Sequence, residues 1–266
     1  VEKGIDMKTV WITALTKDQE RVQGLAKQLQ TYGLAASGHF WEDNLKERAW
    51  LGPREQIKQH DLWLLLSTGD DLATESVRLG LSLTALDVQR DKGHGHPLVL
   101  VHEGPAPAVE ALPTPLRGAE LLAAGDPTLG AKITALVHKP AKKVDPGYRL
   151  AIHALPHGLC FEVGSTGEAW QGGLFGVQDS EPSAAIGSQA VGPRGTLPER
   201  STLEYPVKDI KLELREAPFS AWALRNTIDP ESSYFVLVQG DPRAIVFGPF
   251  PDADQADPEL FVVQLV

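Results

Sequence analysis

The residues of the N-terminal half that could do chemistry fall at three chain positions. The apolar run Val10-Trp-Ile-Thr-Ala-Leu-Thr-Lys-Asp18 carries Thr13 along an expected strand. A second run, Leu62-Trp-Leu-Leu-Leu66, ends in Ser67, with Asp70, Asp71 and Glu75 just beyond it. Between them, Phe40 and Trp41 close a weaker strand. Ser67 could contact a ribose or phosphate, Trp41 and Phe40 could stack on a base, and Glu75 could place a carboxylate against a developing positive charge. Each also has a purely structural reading. Acids favour the first turn of any helix, which would account for Glu75. Ser67 is a common strand-ending residue, Asp70-Asp71 suits a helix cap, and Trp41 with Phe40 suits local core. Asp18 reads as a cap or first-turn acid, Trp11 and Trp63 as core, and Arg54 and Arg78 as solvated helix faces.

Other chemistries find less support. His94-Gly-His96 with His102 has a metal-like spacing, but it lies in a Gly-rich stretch without a cysteine partner, so no metal site is expected. His153 and His157 stand no higher. The lone Cys160 excludes an intramolecular disulfide and a Cys-rich zinc module; it reads as a buried strand residue, and a reducing cytoplasm fits it. The glycine fingerprints of dinucleotide oxidoreductases and P-loop enzymes are absent, as is the nucleophile elbow of α/β-hydrolases. A net charge of −10 argues against nucleic acid as partner. No apolar run approaches the roughly 20 residues of a membrane span, so no membrane association is expected.

These residues need elements to position them, and the 266-residue chain changes texture near its middle. Residues 7–139 are nearly neutral and alternate strand with helix. Strands are expected at Lys8–Leu15, Leu34–Trp41, Leu62–Leu66, Pro97–His102 and Glu120–Ala124. Helices are expected after Asp18, at Pro53–Gln59, Leu72–Arg90 and Pro127–His138. Five strands with intervening helices imply a parallel sheet, and the flavodoxin-like order 2-1-3-4-5 is the commonest layout. Ligands of such sheets sit beyond the carboxyl ends of strands one and three, which would bring Thr13, Ser67, Asp71 and Glu75 around one crevice.

Residues 140–146, with two prolines around a basic pair, read as a linker. Residues 147–266 are acidic and proline-rich and read as a separate all-β domain, sandwich or barrel. Its expected strands are Tyr148–Ala154, Gly158–Val163, Gly173–Val177, Asp209–Leu214, Tyr234–Val238, Ala244–Phe247 and Leu260–Val266, with a long loop from about Asp179 to Pro206. Residues 1–6 precede Met7, the single methionine, and are read as a tag or leader remnant. No signal peptide is recognised.

Over residues 8–139 the motifs resemble the TIR (Toll/interleukin receptor) domain family. Val10–Asp18 is similar to its opening box. Gly52-Pro-Arg-Glu-Gln-Ile57 and His60–Ser67 are similar to its second helix and third strand, and Glu75 to its helix acid. The resemblance implies a TIR-like, flavodoxin-like α/β fold. It implies that Glu75 would be catalytic in cleaving the N-glycosidic bond of NAD, as substrate rather than cofactor, with Thr13, Ser67, Trp41 and Asp71 binding that nucleotide. Two positions depart from the family: Asp71 stands where Trp is frequent, and Ala14-Leu15 where Tyr-Ser is usual. A non-catalytic TIR-like signalling module, associating with itself or a partner protein, and a nucleoside deoxyribosyltransferase-like enzyme stay open. Under any of these the β domain would be a sensor or assembly domain.

Overall fold

The computed structural model describes residues 7–180, 184–250 and 259–266, so the expected leader remnant lies outside the described residues. The chain divides into two compact units, residues 1–144 and 145–266.

The first unit contains β1 (Thr9–Ala14), α1 (Gln19–Thr31), β2 (Ala35–Phe40), α2 (Arg54–Gln59), β3 (Leu62–Ser67), α3 (Glu75–Lys92), β4 (Leu98–His102), β5 (Glu120–Ala123) and α4 (Leu129–His138). The strands form one sheet in the order β2-β1-β3-β4-β5, with every neighbouring pair parallel. This is the flavodoxin-like order expected from the sequence. Side chains alternate across it. Val10, Ile12, Leu64, Leu66, Val99 and Val101 pack with Leu25 and Leu29 of α1 and Ile133 and Val137 of α4. Trp11, Thr13, Trp63, Leu65 and Ser67 take the opposite face.

Helix α3 is buried almost all round from Val77 to Val88, where apolar residues alternate with the small buried hydroxyls of Ser82 and Thr84. The exception in type is Asp87, a buried carboxylate. It lies 2.6 Å from Lys58 of α2 and 3.1 Å from Arg90, with Arg54 at 3.9 Å. These pairs draw α2 onto α3. Arg54 is therefore in this ion-pair cluster, and Arg78 donates to the Ala111 carbonyl at 2.6 Å; neither is the purely solvated cation expected. The helix also starts later than expected, at Glu75, because residues 71–73 form a separate 3-10 turn. Close approach at Gly80 is specific: a Cβ there would lie 2.7 Å from the Trp41 ring. Gly80→Ala is expected to lower stability by about 1–3 kcal/mol, despite the better helix propensity of alanine, because the ring must move. Thermal unfolding of the variant beside the parent checks this.

Among the described residues the second unit contains nine strands: β6 (Tyr148–Leu155), β7 (Gly158–Ser165), β8 (Trp170–Gln178), β9 (Ala185–Pro193), β10 (Val207–Leu214), β11 (Ala217–Ile228), β12 (Ser232–Gln239), β13 (Ala244–Pro249) and β14 (Phe261–Gln264). They make two antiparallel sheets, β10-β11-β8-β13-β14 and β6-β7-β12-β9. Rings meet between the sheets, Phe161 on Phe175 at 5.5 Å and Tyr148 on Phe247 at 5.0 Å, as in a sandwich core. A second cluster, around Leu174, Phe219, Ala221 and Val246, lies on the other side of the larger sheet.

Two strands depart from the sequence expectation. β9 occupies part of the stretch read as a loop from Asp179 to Pro206, of which residues 181–183 are outside the described residues. β11, the longest strand, was not expected at all. The segment after β9 folds back on its own sheet. Ser201 Oγ accepts from the Val191 N–H at 2.7 Å and donates to the Val191 carbonyl at 2.9 Å. On the same sheet face, buried Glu162 accepts from His153, Ser233 and the Gly195 N–H, at 2.8, 2.8 and 2.7 Å.

Candidate functional site

The carboxyl end of the parallel sheet is the place where the fold exposes loops from β1 and β3 side by side. Leu15 N–H bonds to the Leu66 carbonyl, so the two chains leave the sheet together. Thr16 then donates to Asp71, 3.0 and 3.1 Å from the two carboxylate oxygens. Asp71 also accepts from the Thr68 N–H at 2.8 Å and lies 3.0 Å from the Thr68 hydroxyl. One carboxylate thus pins both loops. This is the turn chemistry that Asp favours, and it explains the short 3-10 turn before α3.

Asp18 caps α1, accepting from the Arg21 N–H at 3.0 Å. That cap sets Arg21 so that its guanidinium donates to the Ser67 carbonyl at 3.2 Å and pairs with Glu103 at 3.2 Å. Sequence reasoning missed Arg21. The signal for Arg21 was its place in the first turn after the cap, which aims it back at the strand ends.

The candidate residues do not share one open crevice. Glu75 is exposed and is the first residue of α3, at the carboxyl end of the sheet as expected. Ser67 is buried, and its Oγ has no hydrogen-bond partner among the described residues. Thr13 is 0% exposed, and its Oγ1 accepts from Trp63 Nε1 at 2.9 Å. This corrects the expectation that Thr13 lines a ligand crevice: alternation along β1 turns it into the packed face. Trp41 is likewise corrected from a stacking platform to core, buried against Gly80. Asp71 does reach the loop surface, but its carboxylate is engaged by Thr16 and Thr68.

Behind Trp41, His39 accepts from Trp11 Nε1 at 3.1 Å, and burial pushes its pKa down to about 4, so it is neutral at physiological pH. Near the mouth, Ser76 Oγ donates to Asp43 at 2.6 Å. The charge around the loops is dominated by carboxylates, Asp43, Asp70, Asp71, Glu75 and Glu103, against Lys17 and Arg21. Such a surface repels a pyrophosphate. Among the described residues, no three His, Cys, Asp or Glu side chains are grouped to hold a metal ion. Burial, then the Glu162 charge, pushes the Cys160 thiol up to about 12, so it is an inert core residue and not a nucleophile.

No family model matches the chain, and no curated protein matches it. Among solved structures, it is similar to a protein from Burkholderia pseudomallei described as pilus assembly-related. The identity is 14%, over 51% of this chain and 95% of that one, with a TM-score of 0.31. It is also similar to translation elongation factor SelB from Methanococcus maripaludis, at 10% identity, over 91% of this chain and 57% of that one, with a TM-score of 0.31. Among the described residues, no helix is long and apolar enough to cross a membrane.

Proposed function

We propose that the N-terminal unit is a non-catalytic interaction module of TIR-like build, associating with itself or with a partner protein, and that the β unit serves it as a sensor or assembly domain. The observation that carries this reading is the state of three of the four side chains expected to touch a nucleotide. Thr13 and Trp41 are inside the protein, and Asp71 is tied to Thr16 and Thr68. Thr16, Thr68 and Asp71 of the strand-end loops satisfy one another, and the surrounding carboxylates disfavour an anionic ligand. A surface locked in this way suits contact between proteins, where little backbone movement is needed on binding.

A second reading, cleavage of an N-glycosidic bond as in NAD, is supported by one observation. Glu75 stands exposed at the start of α3 on the carboxyl side of the sheet, where a carboxylate could face a ribose.

One experiment separates the two. Concentrated wild-type protein and Glu75→Gln are incubated with NAD, and nicotinamide release is followed. For the module, neither protein releases nicotinamide, sedimentation shows association that rises with concentration or with an added partner, and the substitution changes stability by at most about 1 kcal/mol. Nicotinamide release by the wild type that disappears in Glu75→Gln overturns the module and establishes the enzyme.

A further inference from the structure

The opposite, amino-terminal end of the parallel sheet carries two adjoining cavities, of about 250 and 330 Å³. They share His96, Pro97 and the segment that follows α4, from Lys139 to Ala141. That segment is seated firmly. A Cβ on Gly95 would fall 1.7 Å from the Lys142 carbonyl oxygen, so only glycine lets the two backbones touch. Each cavity is near the small end of the range for ligand pockets.

Their charge is unlike that of the rest of the chain. Lys92 lines the larger cavity, Lys142 the smaller, and Lys139 both. Among the described residues, none of the three is paired with a carboxylate. Lys8 also reaches the larger cavity, but it is held on Asp61 at 2.7 Å. Three lysines therefore line one cleft, with Glu120 in the smaller cavity and Asp61 in the larger, in a protein whose net charge is −10. Beside them, burial and then the Lys92 charge push His96 down to about 4, and its Nε2 has no hydrogen-bond partner among the described residues. Leu98, Leu136 and Val144 also line the smaller cavity. Lysines without a carboxylate partner along two adjoining cavities, one of them shared by both, with apolar side chains in the smaller, match an anionic head on a small organic body.

We propose that this cleft binds a phosphomonoester, with the phosphate among Lys92, Lys139 and Lys142 and the organic body against Leu98, Leu136 and Val144. The site lies at the other end of the sheet from Glu75 and does not rest on the function proposed above.

Calorimetric titration of the full chain with inorganic phosphate and with AMP, at low ionic strength, tests it. AMP is expected to bind more tightly than phosphate and to move the His96 ring signals in NMR spectra. The double variant Lys139→Glu/Lys142→Glu, at two exposed positions, is expected to weaken AMP binding at least tenfold with unchanged thermal unfolding. Lys17→Glu, an exposed lysine at the carboxyl end, is expected to bind as the wild type does. Absence of binding by both probes at millimolar concentration overturns the site, as does wild-type affinity in the double variant. An equal loss in Lys17→Glu reduces the effect to net charge and also overturns it. AMP binding no tighter than phosphate removes the organic subsite.

Discussion

Asp87→Ala is expected to lower the stability of the N-terminal unit by about 3–5 kcal/mol, because it strands a cation rather than merely deleting an anion. Lys58 is only 10% exposed and has Asp87 at 2.6 Å. With the carboxylate gone, Asp91 at 2.6 Å and Glu55 at 3.2 Å remain, both more exposed than Asp87. They compensate in part, which places the loss at the lower side of the range. Replacing the pair together, as Lys58→Met/Asp87→Leu, is expected to recover most of it, since a packed apolar seam needs no charge compensation. Urea unfolding of the two variants beside the wild type measures both effects. A single variant as stable as the wild type would show that the α2–α3 seam admits water freely. The same cluster has an acid limb. Hydrogen bonding from Arg90, partly opposed by burial and helped by Lys58, holds Asp91 down at about 2. A depressed carboxylate stabilises the fold above its unfolded pKa, and this contribution is lost as pH falls from about 4 toward 2.

The second large effect belongs to the β unit. Glu162→Ala is expected to cost about 2–4 kcal/mol, because it leaves the Ser233 hydroxyl and the Gly195 N–H without their acceptor inside the protein. Arg149 adds to the linkage, donating to Ser233 at 3.2 Å and to the Ser165 and Ser232 carbonyls at 2.7 Å each. Burial by itself would raise the Glu162 pKa. The bonds from His153, Gly195 and Ser233 overcome this and hold it below the usual glutamate value of 4.5. The sign follows: the stabilisation is fully present above pH 4.5 and fades as pH drops through the lowered folded value. Acid titration of thermal unfolding should show this loss in the wild type and a flatter profile in Glu162→Gln. A wild-type profile as flat as that of the variant would remove Glu162 from the stability of the unit.

The α/β order was legible because its signals are strong and local. The continuous apolar runs of β3 and β4 belong to strands covered on both faces, and Asp18 announced the start of α1. The later start of α3 was hidden because Asp71 spends its carboxylate on Thr16, which is distant in sequence, and no local pattern shows that bond. β9 escaped notice because it is an edge strand of Gly, Ser and Ala, largely half-exposed, with little apolar alternation to betray it. β11 escaped for a different reason. Ala221 and Ala223 are fully buried there, where tight packing takes small side chains that carry weak strand propensity. At the site, Glu75 was placed correctly at the sheet's carboxyl end. Thr13 and Trp41 were misjudged because proximity to a strand end says nothing of which face a side chain takes.

The hydroxyl of Ser201 on Val191 bears on how readily the edge of this sheet takes a strand from another copy. β9 is the outermost strand of its sheet, and its outward amide and carbonyl groups are the natural template for recruiting a foreign strand. At Val191 a side chain from the same chain already serves both groups. A strand recruited along this edge would have to evict Ser201 to pair at Val191, so β-fibril growth through this position meets a local barrier set by a single serine.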